Sequence, residues 1–382
     1  MNPDKIETQK SILLDVDSIL DNAYNEHDAF NKEFHKEDQF KFISSQTGNK
    51  YKFERSEVLF KLDREAYYEE LNEWSNVKTK GSHDEVIELL KRENGLNVFM
   101  ELVSSIKRNR IAPFVGAGLS AHLDYPLWGK ALKEIVQRLE GLELEAVQKL
   151  IDAYQYLEAA EILMNKDDTQ FINYINDRFS FRRDWEEKDI MKSAIQLLPE
   201  IADGCVITTN YDKVIEKVYD HSKKSFEGFM YGTQQKNRFV TDLLRGDRCL
   251  LKLHGNVGEP ENYILTLSQY NEAYGSEPDF SKALPKTLRQ IFISHSLLFL
   301  GCSMEQDRTL DLFKAIKEEE QFEIPEHYAI LPKPSTAEEK RAKENRLLQM
   351  NIKTIWYPEG EHDFVEKLLK LAIDTSKGVI KI

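Results

Sequence analysis

The chain has 382 residues, and at about 150 residues per structural unit this length predicts two or three units. Hydrophobic residues make up 41% of it, which is typical of a globular protein. The net charge of −14 repels phosphate backbones, and basic fragments such as Lys107-Arg108 are short. We therefore expect no direct binding of nucleic acid.

The three cysteines include no Cys-x-x-Cys pair, which excludes a structural zinc ribbon. Their small, odd number fits a reducing compartment. The first ten residues lack the apolar segment of a signal peptide, and no apolar run approaches the roughly 18 residues of a membrane span. The sequence thus predicts a soluble, cytoplasmic protein without metal and without a membrane segment.

Residues 1–95 are polar, rich in charge and without recognisable chemistry. Residues 50–62 alternate in places between polar and apolar side chains, which predicts a strand or hairpin. Residues 84–94 predict a helix that ends at Gly95. We interpret 1–95 as an N-terminal extension for packing, partner binding or oligomerisation.

From residue 96 onwards, short apolar segments alternate with helical stretches. This rhythm predicts an α/β domain over 96–382, with a doubly wound, mostly parallel, Rossmann-like sheet. Residues 141–200 read as almost wholly helical, so we expect an inserted helical lobe there. The segments expected to be strands are 111–115, 205–208, 249–255, 263–266, 297–303, 328–332 and 352–358.

In open α/β sheets, ligands bind beyond the carboxyl ends of the strands, so the residues that follow each strand are informative. The first strand is followed by "GAGLSA" (116–121), a G-x-G-x-x-A pattern in which Ser120 adds a hydroxyl. Glycines allow close approach to a pyrophosphate, and the N-terminus of the helix expected after them, which begins at Trp128, offers free N–H groups. The pattern is weak alone, because glycine serves any tight turn and the acidic residue expected about 20 positions later is missing.

Two further strand ends carry polar side chains. Asn210 and Asp212 would point the same way in an extended chain, and Tyr211 the other way. The alternative is a cap for the following helix, which is the favoured interpretation of this stretch alone. His254 ends another apolar segment and is well placed as a base near neutral pH, although a lone histidine is more often structural.

The fourth strand end is "GCS" (301–303), which suits either close ligand approach or a tight turn. Four such strand ends in chain order are hard to explain as four unrelated turns. The ordered set "GAGLS", "TTNYD", "KLHG" and "FLGCS" resembles the sirtuin family of NAD-binding proteins, over roughly residues 105–375. The resemblance implies catalytic roles for Asn210, Asp212 and His254, and NAD contacts for Gly116, Ala117, Gly118, Ser120, Thr209, Gly301, Cys302 and Ser303.

The chain also departs from the protein deacylases of this family. It cannot form their small domain with four zinc-binding cysteines, and "AHLDYPLWGK" replaces their Pro-Asp-Phe-Arg-type segment. The pattern is similar instead to bacterial sirtuin-like NAD hydrolases of anti-phage defence. Those proteins destroy cellular NAD when infection is sensed, and some assemble with a HerA-like hexameric ATPase.

This resemblance implies an NAD+ glycohydrolase that takes NAD+ as its substrate and releases nicotinamide and ADP-ribose. It also implies a homo-oligomer and a HerA-like ATPase partner. By the same resemblance, Asn210 would position water or the ribose hydroxyls, and His254 would activate water or a ribose hydroxyl. Asp212 would hold nicotinamide or the neighbouring backbone. The alternatives are an NAD-dependent protein deacylase, a non-catalytic module that senses NAD or a related nucleotide, and a plain scaffold.

Overall fold

A computed structural model describes residues 3–34, 39–139, 144–181, 187–234, 238–305, 308–319 and 323–382. The chain forms two compact units, Met1–Asp84 and Glu85–Ile382. From the sequence we placed the boundary after residue 95, whereas this division comes after Asp84. The reason is that the apolar side chains between Val86 and Leu90 are buried in the core of the second unit.

The first unit has a small core built on Phe30, Phe60 and Tyr67. The Tyr67 hydroxyl donates to Asn31 Oδ1 over 2.7 Å, which satisfies both buried polar groups. The expected strand in 50–62 covers only its first five residues, which form an antiparallel hairpin with the preceding strand, and a helix follows. Its elements are α1 (Pro3–Asn25), α2 (Asp28–Phe34), β1 (Gln39–Ile43), β2 (Lys50–Glu54), α3 (Arg55–Leu62) and α4 (Arg64–Ser82).

The second unit alternates strands and helices, as the sequence predicts. Its strands are β3 (Ile111–Val115), β4 (Cys205–Thr208), β5 (Gly228–Tyr231), β6 (Cys249–Lys252), β7 (Ser296–Leu300), β8 (His327–Pro332) and β9 (Ile352–Tyr357). Before β4 come the helices α5 (Asp84–Arg92), α6 (Leu96–Lys107), α7 (Trp128–Arg138), α8 (Leu144–Asp152), α9 (Tyr156–Lys166), α10 (Asp168–Phe179), α11 (Glu187–Ile190) and α12 (Leu198–Ile201). After β4 come α13 (Val214–His221), α14 (Phe239–Arg245), α15 (Leu267–Tyr274), α16 (Ala283–Ser294), α17 (Arg308–Glu319), α18 (Ala337–Leu348) and α19 (Asp363–Ser376).

The strand order of the large sheet is β5-β6-β4-β3-β7-β8-β9, and every neighbouring pair is parallel. All residues of β3, β4, β6 and β7 are buried, as expected for parallel strands covered on both faces. From β3 the chain continues through β4, β5 and β6 on one side of β3, and it then crosses to β7 on the other side. This places the topological switch point between β3 and β7, and it confirms the predicted doubly wound fold.

The predicted strand at 263–266 is wrong. Its apolar residues are buried, but they lead into α15, whose first turn is capped by the Thr266 side chain in a capping box with Gln269. The edge strand β5 was not predicted from the sequence, because it is short and begins with glycine. Two other predicted strands end early, at Lys252 and at Leu300, which leaves the residues after them free to turn.

The crossover between β3 and β4 contains the helices α7 to α12, which confirms the inserted helical lobe. Buried side chains such as Leu163, Phe171 and Ile175 belong to the same hydrophobic core as the sheet. The lobe is therefore packed into the second unit. Within the predicted range 141–200, residues 141–143 and 182–186 lie outside the described residues.

No helix in the described part of the chain is long and apolar enough to cross a bilayer. Within the same residues, no group of three or more His, Cys, Asp or Glu side chains is arranged to hold a metal ion. The three cysteines are free thiols, and Cys205 and Cys249 are buried in the sheet.

Candidate functional site

The four polar strand ends lie side by side. β6, β4, β3 and β7 are consecutive in the sheet and parallel, so their carboxyl ends meet at one edge. The structure therefore brings together the residues after these strands, which are separated by up to about 190 positions in the chain. This edge includes the switch point between β3 and β7, where ligands of doubly wound sheets bind.

The glycine turn after β3 packs directly against the turn after β7. Gly116 N–H donates to the Leu300 carbonyl over 2.9 Å, and Gly118 N–H donates to the Gly301 carbonyl over 3.0 Å. A Cβ atom on Gly116 would lie 2.5 Å from the Gly301 oxygen, and Gly301 itself has a φ of +67°. The glycines are thus required by the close approach of two backbone turns.

The helix expected after the glycines is confirmed as α7, but its N-terminus does not adjoin the glycine turn. The turn continues as a 3₁₀ segment, Ala117–Leu123, and α7 begins only at Trp128. The Gly118 N–H points at Gly301 and is already engaged. The motif alone would leave the backbone N–H groups of Gly116 and Gly118 for a phosphate. In the structure these groups are used in the packing of the two turns.

Asn210 links the end of β4 to the glycine turn. Its Nδ2 donates to Ser120 Oγ over 3.2 Å and lies 3.4 Å from the Gly116 carbonyl oxygen. The Asn210 side chain is only 6% exposed, and its Oδ1 is buried without a hydrogen-bond partner. A buried amide oxygen without a partner is costly in a folded protein, so this atom is ready to accept a hydrogen bond from a ligand or water.

Asp212 lies one residue before Lys213, the N-cap of α13, and its side chain supports the start of that helix. Its Oδ1 accepts from the N–H of Val214, the first residue of α13, over 3.0 Å, and it also interacts with the Ser120 hydroxyl. Burial raises the pKa of this carboxyl to about 6, while the Lys252 cation lowers the pKa and Glu216 raises it. Asn210 and Asp212 therefore converge on Ser120, and Asp212 also accepts a hydrogen bond from the first residue of α13.

Lys252 is a residue of this site that the sequence analysis missed. It is fully buried at the end of β6, and its Nζ binds the backbone carbonyl of Tyr211 at 3.2 Å and that of Asp212. The same ammonium contacts Glu216 Oε1 and Asn256 Oδ1, each at 3.0 Å. A lysine inside an otherwise apolar strand was the available signal, because lysine is almost never fully buried without partners.

His254 lies just beyond β6, and a tyrosine engages its ring. The Tyr270 hydroxyl is 2.5 Å from His254 Nε2, with ring centroids 5.4 Å apart. The carbonyl of His254 accepts from Ile264 N–H over 3.1 Å, which holds the backbone after the strand. Tyr270 lies on α15, which begins directly after the segment wrongly predicted as a strand, and nothing in the sequence pointed to this partner.

The Tyr211 ring belongs to an aromatic cluster beneath the site. It packs against Trp128, Phe179 and Tyr263, with ring centroids 5.6 to 6.1 Å apart. Its hydroxyl donates to the Ile264 carbonyl over 3.2 Å. This cluster joins the helical lobe to the strand ends and supports the backbone between Asn210 and Asp212.

The other residues implied by the resemblance lie at the same edge. Thr209 is half-buried and its N–H donates to the Val115 carbonyl over 3.2 Å. Cys302 Sγ lies 3.6 Å from two backbone carbonyls, which is a packing contact. The Ser303 carbonyl accepts from Lys343 Nζ over 2.8 Å, and its side chain is exposed. Their roles toward NAD stay predictions.

Comparison with known proteins gives a consistent match. Residues 204–355 match the model of the SIR2-like domain. NAD(+) hydrolase ThsA of Bacillus cereus (strain MSX-D12) is 27% identical over 246 residues, which is 64% of this chain and 47% of that protein. Defense-associated sirtuin 2 of Bacillus subtilis is 23% identical over 73% of this chain and 26% of its own length. The chain spans about half the length of these curated relatives, or less.

Among solved structures, a Sir2 homolog–NAD complex aligns with 72% of this chain and 94% of its own, at 13% identity and a TM-score of 0.36. A Sir2 homologue bound to ADP-ribose aligns at 14% identity and a TM-score of 0.37. The SIR2-like match includes the ends of β4, β6 and β7, but it begins after the glycine turn. Over these strands the chain is therefore similar to sirtuin-like proteins.

Proposed function

We propose that this chain is an NAD+ glycohydrolase that cleaves NAD+ to nicotinamide and ADP-ribose. The observation that carries the proposal is the buried Asn210, whose Oδ1 has no partner and whose Nδ2 is fixed by Ser120 at the row of strand ends. The names of the Bacillus cereus, Cytobacillus dafuensis and Acinetobacter baumannii relatives, all NAD(+) hydrolase ThsA, support this reaction.

The chemistry suits such a site. Nicotinamide leaves as a neutral base when its bond to the ribose C1′ breaks, so the leaving group needs little acid help. The transition state is oxocarbenium-like, and a water molecule then adds to C1′ and gives up a proton. The protein must therefore fix the ribose, stabilise positive charge and orient the water.

Three side chains fill these roles in our proposal. Asn210 Oδ1 accepts a hydrogen bond from the water or from a ribose hydroxyl. The buried Asp212 carboxylate stabilises the positive charge that develops on the ribose, or holds the nicotinamide, and His254 takes the proton of the water or of a ribose hydroxyl. Tyr270, which is hydrogen-bonded to His254 Nε2, orients the imidazole ring.

We place the reaction in anti-phage defence, where it would deplete cytoplasmic NAD+ and arrest the infected cell. The name of the Bacillus subtilis relative, Defense-associated sirtuin 2, supports that setting. The resemblance to sirtuin-like defence proteins suggests a HerA-like ATPase as the partner that controls activity.

Unit 1 is our candidate for the surface that makes the oligomer or binds this partner. Phe40 is paired with Phe53, and Phe42 with Tyr51, across the β1-β2 hairpin, so all four rings share one face. Each of them is at least 37% exposed. A two-stranded sheet is marginal alone, and an exposed aromatic face is typical of an interaction surface.

The test is direct. The purified protein is incubated with NAD+, alone and with the candidate ATPase, and nicotinamide is followed by chromatography. Release without any acyl-peptide supports the proposal, whereas dependence on an acyl-peptide supports a deacylase. Tight NAD+ binding without turnover in every condition supports a sensing module. We expect His254→Ala to abolish release, while His221→Ala, an exposed histidine on α13, keeps it.

A further inference from the structure

Lys252 is a buried cation that no step of the proposed reaction uses. Its side chain is 0% exposed, and its ammonium has four acceptors within 3.2 Å. A buried charge is tolerated only when it is paired and hydrogen-bonded. The choice of acceptors therefore shows what this lysine holds in place.

Two of the acceptors are consecutive backbone carbonyls, those of Tyr211 and Asp212. These carbonyls lie between Asn210 and the start of α13, in the segment that presents both site side chains. The other two acceptors are Glu216 on α13 and Asn256 after β6. One ammonium thus ties together the end of β4, the first turn of α13 and the end of β6.

The network continues outwards, which fixes the ammonium itself. Asn256 Nδ2 donates to Glu259 Oε1 over 2.8 Å, so the amide oxygen of Asn256 is oriented toward Lys252. The Tyr211 carbonyl also accepts from the N–H of Val257 over 3.0 Å. The segment after β4 is therefore held from the side of β6 by both a backbone bond and a cation.

We propose that Lys252 is a positioning residue for NAD+ cleavage, because its ammonium holds the carbonyls of Tyr211 and Asp212 and so fixes the backbone that presents Asn210 and Asp212. The inference rests on the proposed NAD+ glycohydrolase function. Lys252 acts through the backbone and makes no contact with substrate in this role. Misplacing a reacting group by about 1 Å can lower a rate about 100-fold, so such a residue has a measurable effect on kcat.

A second effect is electrostatic. The charged groups that act on the Asp212 carboxyl are Lys252 from β6 and Glu216 from α13, and the Ser120 hydroxyl is its polar neighbour. The lysine lowers the pKa of Asp212, against the burial that raises it. Loss of the cation therefore moves the protonation of Asp212 to higher pH.

The experiment separates positioning from simple charge neutralisation. Lys252→Met leaves the half-buried Glu216 carboxylate without this ammonium, so it is compared with Glu216→Gln and with the double variant Lys252→Met/Glu216→Gln, in which both charges are gone. Lys353→Met is the matched control, since Lys353 also bridges two carboxylates, those of Glu101 and Glu326, but lies near the amino end of β9. Each variant is measured for melting temperature, kcat, KM, the pH profile of turnover, and hydrogen exchange in residues 209–216.

We expect the double variant to melt close to the wild type, to lose about 100-fold in kcat with a smaller change in KM, and to exchange faster in residues 209–216. We also expect the acid limb of the pH profile to move to higher pH in Lys252→Met wherever that variant folds. In the double variant it should move less, since Lys252 lowers the pKa of Asp212 and Glu216 raises it. Lys353→Met should keep the wild-type kcat. A folded double variant with wild-type kcat and unchanged exchange would overturn the proposal, because Lys252 would then only neutralise Glu216.

Failure of the two proposals can be told apart. If the wild type binds NAD+ but never releases nicotinamide, the glycohydrolase function fails, and the hydrogen-exchange measurement still tests the positioning role. Faster exchange in residues 209–216 of the double variant, with the rest of the sheet unchanged, supports the role of Lys252 in that case. Exchange equal to the wild type refutes it.

Discussion

The side-chain amide of Asn210 donates to the hydroxyl of Ser120 over 3.2 Å, and this bond joins the end of β4 to the turn after β3. The two residues are 90 positions apart in the chain. Because Nδ2 is used in this bond and in a contact with the Gly116 carbonyl, the amide has a fixed orientation that leaves Oδ1 without a partner. The pair thus sets the direction in which Asn210 presents its acceptor.

A double-mutant cycle tests this relationship. We expect Asn210→Ala to abolish nicotinamide release without unfolding the protein, and Ser120→Ala to lower kcat because the amide loses its orientation. The effects of Asn210→Ala and Ser120→Ala on the activation free energy should be non-additive by about 0.5–3 kcal/mol, as for residues in direct contact. Unchanged turnover in Asn210→Ala would show that the amide has only a structural role.

Removal of one hydroxyl tests the orientation of His254. Tyr270→Phe deletes the 2.5 Å contact with Nε2 but keeps the ring, which packs on Tyr274 with centroids 5.6 Å apart. We expect kcat to fall about tenfold because the imidazole orientation and tautomer are no longer fixed. Tyr219→Phe is the control, since this buried tyrosine donates to the Ala202 carbonyl, remote from His254 in the chain. If Tyr270→Phe raises kcat instead, the hydrogen bond between Tyr270 and His254 competes with the contact between His254 and the substrate.

The buried carboxyl of Asp212 predicts a specific dependence of stability on pH. Burial raises its pKa from 3.8 to about 6, so the folded state binds this proton more tightly than the unfolded state does. Its contribution to the free energy of unfolding is therefore fully present below pH 3.8 and is lost as the pH rises through about 6, an amount of ~3 kcal/mol.

Asp212→Asn removes this titration and keeps an acceptor for the N–H of Val214. Urea unfolding of both proteins between pH 4 and 7.5 should show the difference. Relative to the variant, the wild type should lose stability as the pH rises. Parallel stability curves across this range would contradict the raised pKa.

The fold could be predicted because the buried strands are short apolar runs with turn residues after them. β3 and β4 were predicted with the bounds that the structure has, and their mostly apolar residues are buried on both faces of the sheet. The segment 263–266 failed because an apolar run before a capping box looks like a strand in the sequence. Edge strand β5, with Gly228 at its start, has no comparable signal.

The site could be predicted as a set of residues, but its internal bonds could not. Local sequence offered a cap or a ligand role for the pair Asn210 and Asp212. In the structure the N-cap of α13 is Lys213, Asp212 accepts from the N–H of Val214, and Asn210 binds Ser120. The partners of this segment, Ser120 in the turn after β3 and Lys252 at the end of β6, are far away in the chain. Such pairings depend on which strand ends become neighbours, and no spacing in the sequence encodes that.

Gly301 provides a last test, because the turns after β3 and β7 need its missing side chain. A Cβ atom there would meet the backbone nitrogen of Leu119 at 2.6 Å, and its φ of +67° is unfavourable for other residues. Gly378 has a similar φ of +75° but nothing within 4 Å, so Gly378→Ala isolates the backbone penalty of about 1–2 kcal/mol. We expect Gly301→Ala to lower the free energy of unfolding by more than this control does, and to reduce nicotinamide release, since the two turns must separate. Equal destabilisation in urea unfolding by the two variants would mean that the turns tolerate the extra methyl group and that their close packing does not maintain the site.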